Sequence, residues 1–260
     1  MRYFIELSYF GKKYHGWQRQ PNAITVQEVI ENALSTILQK QILIMGAGRT
    51  DAGVHATQMF AHFDWENENF IDFLKSKKIG KGTINDFIYK LNNLLPVDIV
   101  IKQIVEVKDE AHSRFDAISR SYIYRIVRSK NAFTTDHAYT FKHNLNIKAM
   151  NEAASVLLDY NDFECFSKSK TEVNTYLCDI TEAYWEIKED EIIFHITANR
   201  FLRNMVRAIV GTLLEIGQEK KPVEWIHHVI ATKNRAYAGS SVPGKGLYLT
   251  AIKYPNTILS

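Results

Sequence analysis

The sequence predicts an α+β protein built from two α/β halves. Three observations carry that expectation. The first hundred residues alternate strand-like and helix-like patterns. The second half repeats the same kinds of element without repeating the sequence. A chain of 260 residues with 46% hydrophobic content can also fill a sizeable interior. The expected division is 1–110 and 111–260.

Tyr3, Ile5 and Leu7 alternate with Phe4, Glu6 and Ser8, a period of two that suits a strand. The loop after it, 10–22, interleaves Lys12, Lys13 and Arg19 with Tyr14 and Trp17. Cations among aromatics suit single-stranded RNA, and a solvated surface turn is the alternative. Thr25 then caps a helix whose Val26, Val29, Ile30, Ala33, Leu34, Ile37 and Leu38 recur three and four apart. The apolar run 42–45 predicts a buried strand, and 58–65 predicts the next.

Residues 66–82 are polar and carry Lys75, Lys77, Lys78 and Lys81, which predicts an exposed insertion that either touches RNA or solubilises the surface. A helix over 84–95 should stop at Pro96, with a strand at 99–107. Residues 122–127 alternate as a strand that sends Tyr122 and Tyr124 to one face. A helix at 147–160 and strands at 176–188 and 191–198 follow. The stretch 201–217 predicts a helix with Arg200, Arg203 and Arg207 at i, i+3 and i+7, opposite an apolar stripe of Met205, Ile209, Leu213 and Ile216. A helix from Pro222 to Thr232 and a strand at 248–254 close the chain.

The formal net charge is only +3, so a nucleic-acid role has to be read from clustering rather than from the total. Cys165 and Cys178 form no Cys-x-x-Cys pair, and reduced, buried thiols are expected. The first nine residues show no cleavage site, and no apolar run reaches the roughly 20 residues needed to cross a bilayer. A soluble, cytoplasmic protein without membrane attachment is expected.

The densest chemical signal is Gly46-Ala-Gly-Arg-Thr-Asp-Ala-Gly-Val-His-Ala56, small residues around Arg49, Thr50 and Asp51. A Walker loop would need a lysine that is absent here. A dinucleotide fingerprint would need glycine where Asp51 stands, and a carboxylate would repel a pyrophosphate. On its own the string also fits a glycine-rich turn whose Asp51 caps a backbone amide. His55 and His62 match no common metal-ligand spacing. A glycoside-hydrolysing site would need a second acid close to Asp51, and Asp64 and Glu66 lie at the far end of the next strand. Arg207 is hemmed in by apolar neighbours and so calls for an anionic partner, for which Asp51 is the candidate.

Gly48-Arg49-Thr50-Asp51-Ala52-Gly53-Val54-His55 resembles the signature of the TruA-type tRNA pseudouridine synthases. Tyr14-His-Gly-Trp-Gln-Arg-Gln20 is similar to that family's N-terminal motif. Ala111-His-Ser-Arg-Phe-Asp-Ala117 and Ser119-Arg-Ser-Tyr-Ile-Tyr124 are similar to its central one. Asn199-Arg-Phe-Leu-Arg-Asn-Met-Val-Arg-Ala-Ile-Val-Gly211 and Gly246-Leu-Tyr-Leu249 match its last helix and strand. Two departures are visible. Phe10 stands where the family usually has aspartate, and an arginine common near Thr175-Tyr176 is missing.

The resemblance implies mixed, mainly antiparallel sheets flanked by helices, two halves sharing a central active-site cleft, and isomerisation of uridine to pseudouridine at positions 38, 39 and 40 of the tRNA anticodon arm by a homodimer. It implies Asp51 as catalytic nucleophile or base, kept ionised and oriented by Arg207. Tyr122 would pack against the uracil and assist removal of the C5 proton, while Tyr124 is structural. Arg49, Arg114, Arg19 and Arg203 would contact RNA. Whether Asp51 attacks C1′, attacks C6 or takes a sugar proton stays open. The isomerisation involves no redox step and no net hydrolysis, so no cofactor and no metal are expected. The alternative is a non-catalytic tRNA-binding protein of the same fold.

Overall fold

A computed structural model describes residues 1–66, 69–168 and 174–258. It is α+β, and its backbone divides into two compact units. One comprises Met1–Ile118 with Ala251–Ser260, the other Ser119–Thr250. The expected boundary at 110 therefore falls eight residues before that division (118 − 110), and the C-terminal segment belongs with the first unit.

In the first unit, β1 (Arg2–Tyr9) pairs antiparallel with β3 (His55–Asp64) on one side and β4 (Ile99–Val107) on the other, and the short β2 (Met45–Gly46) adds to β3. Three helices accompany the sheet: α1 (Val26–Leu38), α2 (Phe70–Ser76) and α3 (Ile84–Leu94). Thr25 caps α1 by accepting the Glu28 amide, an interaction that stabilises such a helix by about 1 kcal/mol. The α1 stripe of Val26, Ile30, Leu34 and Leu38 is buried as its spacing predicts.

Two expectations need correction here. The run 42–45 is not a continuously buried strand. Ile42 and Ile44 are buried while Leu43 and Met45 are more than half or half exposed, and regular pairing begins only at Met45. One side of the segment packs, so it alternates. The polar stretch 66–82 is not merely an exposed insertion. Phe70, Phe73, Leu74 and Ile79 are buried, whereas Lys75, Lys77 and Lys78 stay exposed. Apolar residues at i, i+3 and i+4 give α2 a core-facing stripe that the surrounding lysines mask. Residues 67 and 68 of that stretch lie outside the described residues.

In the second unit, β8 (Glu191–Ala198) pairs antiparallel with β5 (Ser119–Val127) and with β7 (Ile180–Lys188), and β6 (Tyr139–Thr140) joins β5 in parallel. The β7–β8 turn uses Glu189 at φ 55°. The strand begins four residues after the expected start at 176 (180 − 176), because Leu177 makes only an isolated bridge with Asp162. The helices are α4 (Ile147–Val156), which continues as a 3-10 turn to Asp159, α5 (Met205–Gly217) and α6 (Trp225–Thr232). The last strand, β9 (Leu247–Lys253), starts in this unit.

The α5 boundary corrects a further expectation. Asn204 adopts φ 67°, a left-handed conformation that asparagine tolerates and a helix interior does not. The helix therefore begins at Met205. Arg200 and Arg203 lie on the preceding loop, and only Arg207 of the three is helical. Cys165 and Cys178 are free and buried, and burial pushes their thiols up to about 12 and about 11.

Candidate active site

The loop from Gly46 to Ala56 joins β2 to β3, and its neighbours hold its backbone. The Ala47 amide donates to the Phe60 carbonyl at 2.8 Å. Tyr9 Oη lies 2.8 Å from Thr50 Oγ1, and the Thr50 carbonyl accepts the Trp17 amide at 3.2 Å. The Gly53 amide donates to the Tyr14 carbonyl, and the Val54 amide turns back to the Asp51 carbonyl, both at 3.2 Å. His55 Nδ1 accepts the Gly11 amide at 2.8 Å, and Phe10 stacks on the same ring at 4.1 Å and 12°. Asp51 is thus presented, half-buried, by a turn that is braced on both flanks. Phe10, the departure from aspartate, supports the loop through His55.

Apart from Tyr9 on β1 and Phe60 on β3, the bracing residues come from the segment 10–22 that the sequence read as an RNA-stacking or solvated loop. Tyr14 and Trp17 are 5% and 2% exposed. Tyr14 donates to Asp98 at 2.5 Å, and the Trp17 indole packs over Gly46. These rings cannot stack on bases; they form the floor beneath Asp51's loop. Aromatic residues are this deeply buried when a partner satisfies their polar edge, and Asp98 supplies that partner for Tyr14.

In the second unit, Tyr122 sits mid-strand on β5 opposite Ile196 and meets Phe201 edge-on at 5.2 Å and 88°. Phe201 was not singled out from the sequence, where its place between two arginines disguised a ring partner for Tyr122. Tyr124 is fully buried and donates to the Pro243 carbonyl at 2.8 Å, as a structural tyrosine should. Arg207 is half-buried in the first turn of α5, and its Nε donates to the Val242 carbonyl at 2.7 Å. The Val242 amide returns a bond to the Arg207 carbonyl at 3.2 Å. The loop 238–243 can lie this close because position 211 is glycine, where a Cβ would run into the Ser240 carbonyl. Asn204 Nδ2 and Arg235 Nη2 both bond Ser241 Oγ, at 2.6 and 3.0 Å, and tie the same loop down.

The remaining candidate arginines differ in setting. Arg49, Arg114 and Arg203 are exposed. Arg19 lies 3.5 Å from Glu31 and 3.7 Å from Glu28 on α1. Arg120 donates to the Asn199 carbonyl at 2.7 Å, and Arg125 pairs bidentately with Glu191 at 2.6 and 2.7 Å. His62 Nδ1 is 2.9 Å from Ser113 Oγ, so both histidines that the sequence raised serve as hydrogen-bonding supports. Among the described residues, no three His, Cys, Asp or Glu side chains gather as a metal site.

A family profile described as tRNA pseudouridine synthase matches residues 7–116 and 153–255. The tRNA pseudouridine synthase A of Parabacteroides distasonis is 48% identical over 260 residues, covering 99% of this chain and 97% of its own. That of Bacteroides fragilis is 48% identical over 259 residues, covering 99% and 98%. A more distant relative of the same name, from Acetivibrio thermocellus, is 39% identical over 252 residues, covering 95% and 97%.

Proposed function

The chain belongs to the tRNA pseudouridine synthase family, and from that membership we propose that it isomerises uridines 38, 39 and 40 in the tRNA anticodon arm through Asp51. Pseudouridine synthesis on tRNA is an isomerisation. The N1–C1′ bond breaks, the uracil turns, and C5 joins C1′, with the proton lost from C5 balanced by one taken up at N1. The observation that carries the role of Asp51 is the bracing of its loop on both flanks by Tyr9, Trp17, Tyr14 and Phe60. A carboxylate on a pre-positioned turn needs little reorganisation when the base arrives.

Tyr122 and Arg207 complete the proposal. Tyr122, supported edge-on by Phe201, offers a ring for the detached uracil and an oxygen for the C5 proton. Arg207, with Nε fixed by Val242, keeps its guanidinium plane set for an anion and partners the Asp51 carboxylate in the reaction. The target uridine must leave its stack to reach such a pocket, so the flanking backbone has to be gripped. Arg49, Arg114, Arg203 and Arg19 are proposed for that grip, and a homodimer working in the cytoplasm is proposed as the active form. No helix among the described residues is long and apolar enough to cross a membrane.

The test uses tRNA transcribed with C5-tritiated uridine. Wild-type protein should release tritium and Asp51→Ala should not, while tRNA affinity stays within a few-fold. Release by Asp51→Ala would remove that residue from the chemistry. No release by wild type, with binding intact, would favour the non-catalytic reading.

A further inference from the structure

The turn 111–117 is pinned along its length, yet it holds two consecutive side chains out in solvent. Arg2 Nη1 donates to the Ala111 carbonyl at 2.8 Å, and Arg2 is itself held by both carboxylate oxygens of Asp64 at 2.7 and 2.9 Å. Ser113 is fully buried. Its Oγ donates to the Met45 carbonyl at 2.8 Å, its amide donates to His62 Nδ1 at 3.2 Å, and its carbonyl accepts Tyr254 Oη at 2.5 Å. The His112 amide donates to Asp116 Oδ2 at 2.7 Å, and His112 Nδ1 receives the amides of Arg114 and Phe115 at 3.1 and 3.3 Å. Ala111 and Ala117 are buried at the two ends.

Phe115, by contrast, is 74% exposed. The His112 ring supports it at 4.3 Å between centroids, and the Arg114 guanidinium carbon lies 5.7 Å from its ring. A lone exposed phenylalanine is ordinary on a protein surface. One held on a backbone with this many fixed points, with a cation near its ring, has a different meaning. Its ring is already ordered, so stacking a base on it forfeits little entropy, and the cation suits the phosphate that accompanies a base.

We propose that Phe115 is a stacking platform for an unpaired base of the bound tRNA, with Arg114 engaging the adjoining phosphate. The identity of the RNA rests on the synthase reading above. The platform shares its scaffold with the Asp51 loop. Ser113 is bonded to Met45, the first residue of β2, six positions before Asp51 (51 − 45), and to His62 on β3, the strand that leaves that loop. An RNA seated on Phe115 is thereby held by the same frame that presents the acid.

Binding is measured by fluorescence titration of tRNA and of an isolated anticodon stem-loop RNA against wild type, F115A, F115L, F115W and R114A. F115A and F115L should each weaken binding by about tenfold, since stacking needs an aromatic face and not simply apolar bulk. F115W should restore affinity, and its added indole emission should be quenched by RNA beyond the change seen in wild type. The slope of log Kd against log salt should be unchanged in F115A and flatter by about one in R114A. Wild-type affinity in F115A and F115L would overturn the proposal. So would loss of self-association in F115A by sedimentation without RNA, because the ring would then serve a protein contact. These readings need no turnover, whereas tritium release by wild type decides the synthase reading separately.

Discussion

Gly16 and Thr50 approach so closely that a Cβ at residue 16 would run into the Thr50 carbonyl oxygen, and Gly16 holds φ 91°. A non-glycine residue is doubly excluded there, by space and by backbone conformation. Thr50 immediately precedes Asp51, so any shift that relieves the clash moves the acid. Gly16→Ala should lower stability by about 1–3 kcal/mol and reduce tritium release by a larger factor than the loss of folded protein explains. Thermal melting alongside turnover checks this. Wild-type turnover in a folded Gly16→Ala protein would show that the loop tolerates displacement.

His62 provides a pH dependence whose sign follows from its contacts. Burial, then the nearby Arg2 cation, then His112 push its imidazole down to about 4 from an ordinary value of 6.5, with Asp64 opposing. Nδ1 accepts the Ser113 amide, so a proton placed there would set two donors against each other. The unfolded chain takes up that proton and the folded chain does not. Stability from this group is therefore full above pH 6.5 and lost as pH falls from 6.5 towards 4, by up to about 3 kcal/mol. Denaturant melts of wild type and His62→Asn at pH 7, 6 and 5 should converge as pH falls. Parallel curves would mean that His62 stays neutral when unfolded or is charged when folded.

The parts of the fold that could be read from the sequence are those whose pattern is local. The positions of β1 and β4, the Thr25 cap and the stop before Pro96 all appear where local pattern and chemistry place them. Asp51 stood out only through the resemblance of residues 48–55 to a family signature, because small residues around one acid also fit a glycine-rich turn. What stayed hidden depends on partners distant in sequence. Tyr14 and Trp17 resemble a base-stacking loop until Asp98 and Gly46 are seen to cover them. The three-residue rhythm of Arg200 and Arg203 runs smoothly into α5, and only the left-handed Asn204 cuts it. The apolar stripe of α2 sits in a stretch that also carries Lys75, Lys77, Lys78 and Lys81, so average polarity concealed it.

Arg207 tests a different link, from side-chain shape to chemistry. Its Nε is committed to the Val242 carbonyl at 2.7 Å, which fixes the plane of the remaining guanidinium nitrogens. A lysine carries one ammonium on a flexible stem and cannot hold the loop and face an anion in a fixed plane together. Arg207→Lys should lower the rate of tritium release by about 10–100-fold, the scale of one charged hydrogen bond lost. Melting temperature should fall only modestly, since Asn204, Arg235 and Thr212 also secure that loop. Near-normal turnover in the lysine variant would dissociate the Val242 bond from catalysis.

The exposed arginines lead to a prediction about salt. Each phosphate neutralised by a cation releases condensed counterions, which adds about 0.7–0.9 to the slope of log Kd against log salt. Arg49 and Arg203 are exposed side chains on loops that flank Asp51 in the first unit and α5 in the second. Arg49→Ala and Arg203→Ala should each flatten the slope by about one and weaken binding to different tRNAs by similar factors, because a phosphate contact carries little sequence information. Arg19, which already faces Glu28 and Glu31, should change the slope less when replaced by alanine. Titrations at four or five salt concentrations for the three variants measure all of this together. A wild-type affinity that barely changes with salt would rule out a backbone grip by these residues and would shift recognition to base contacts.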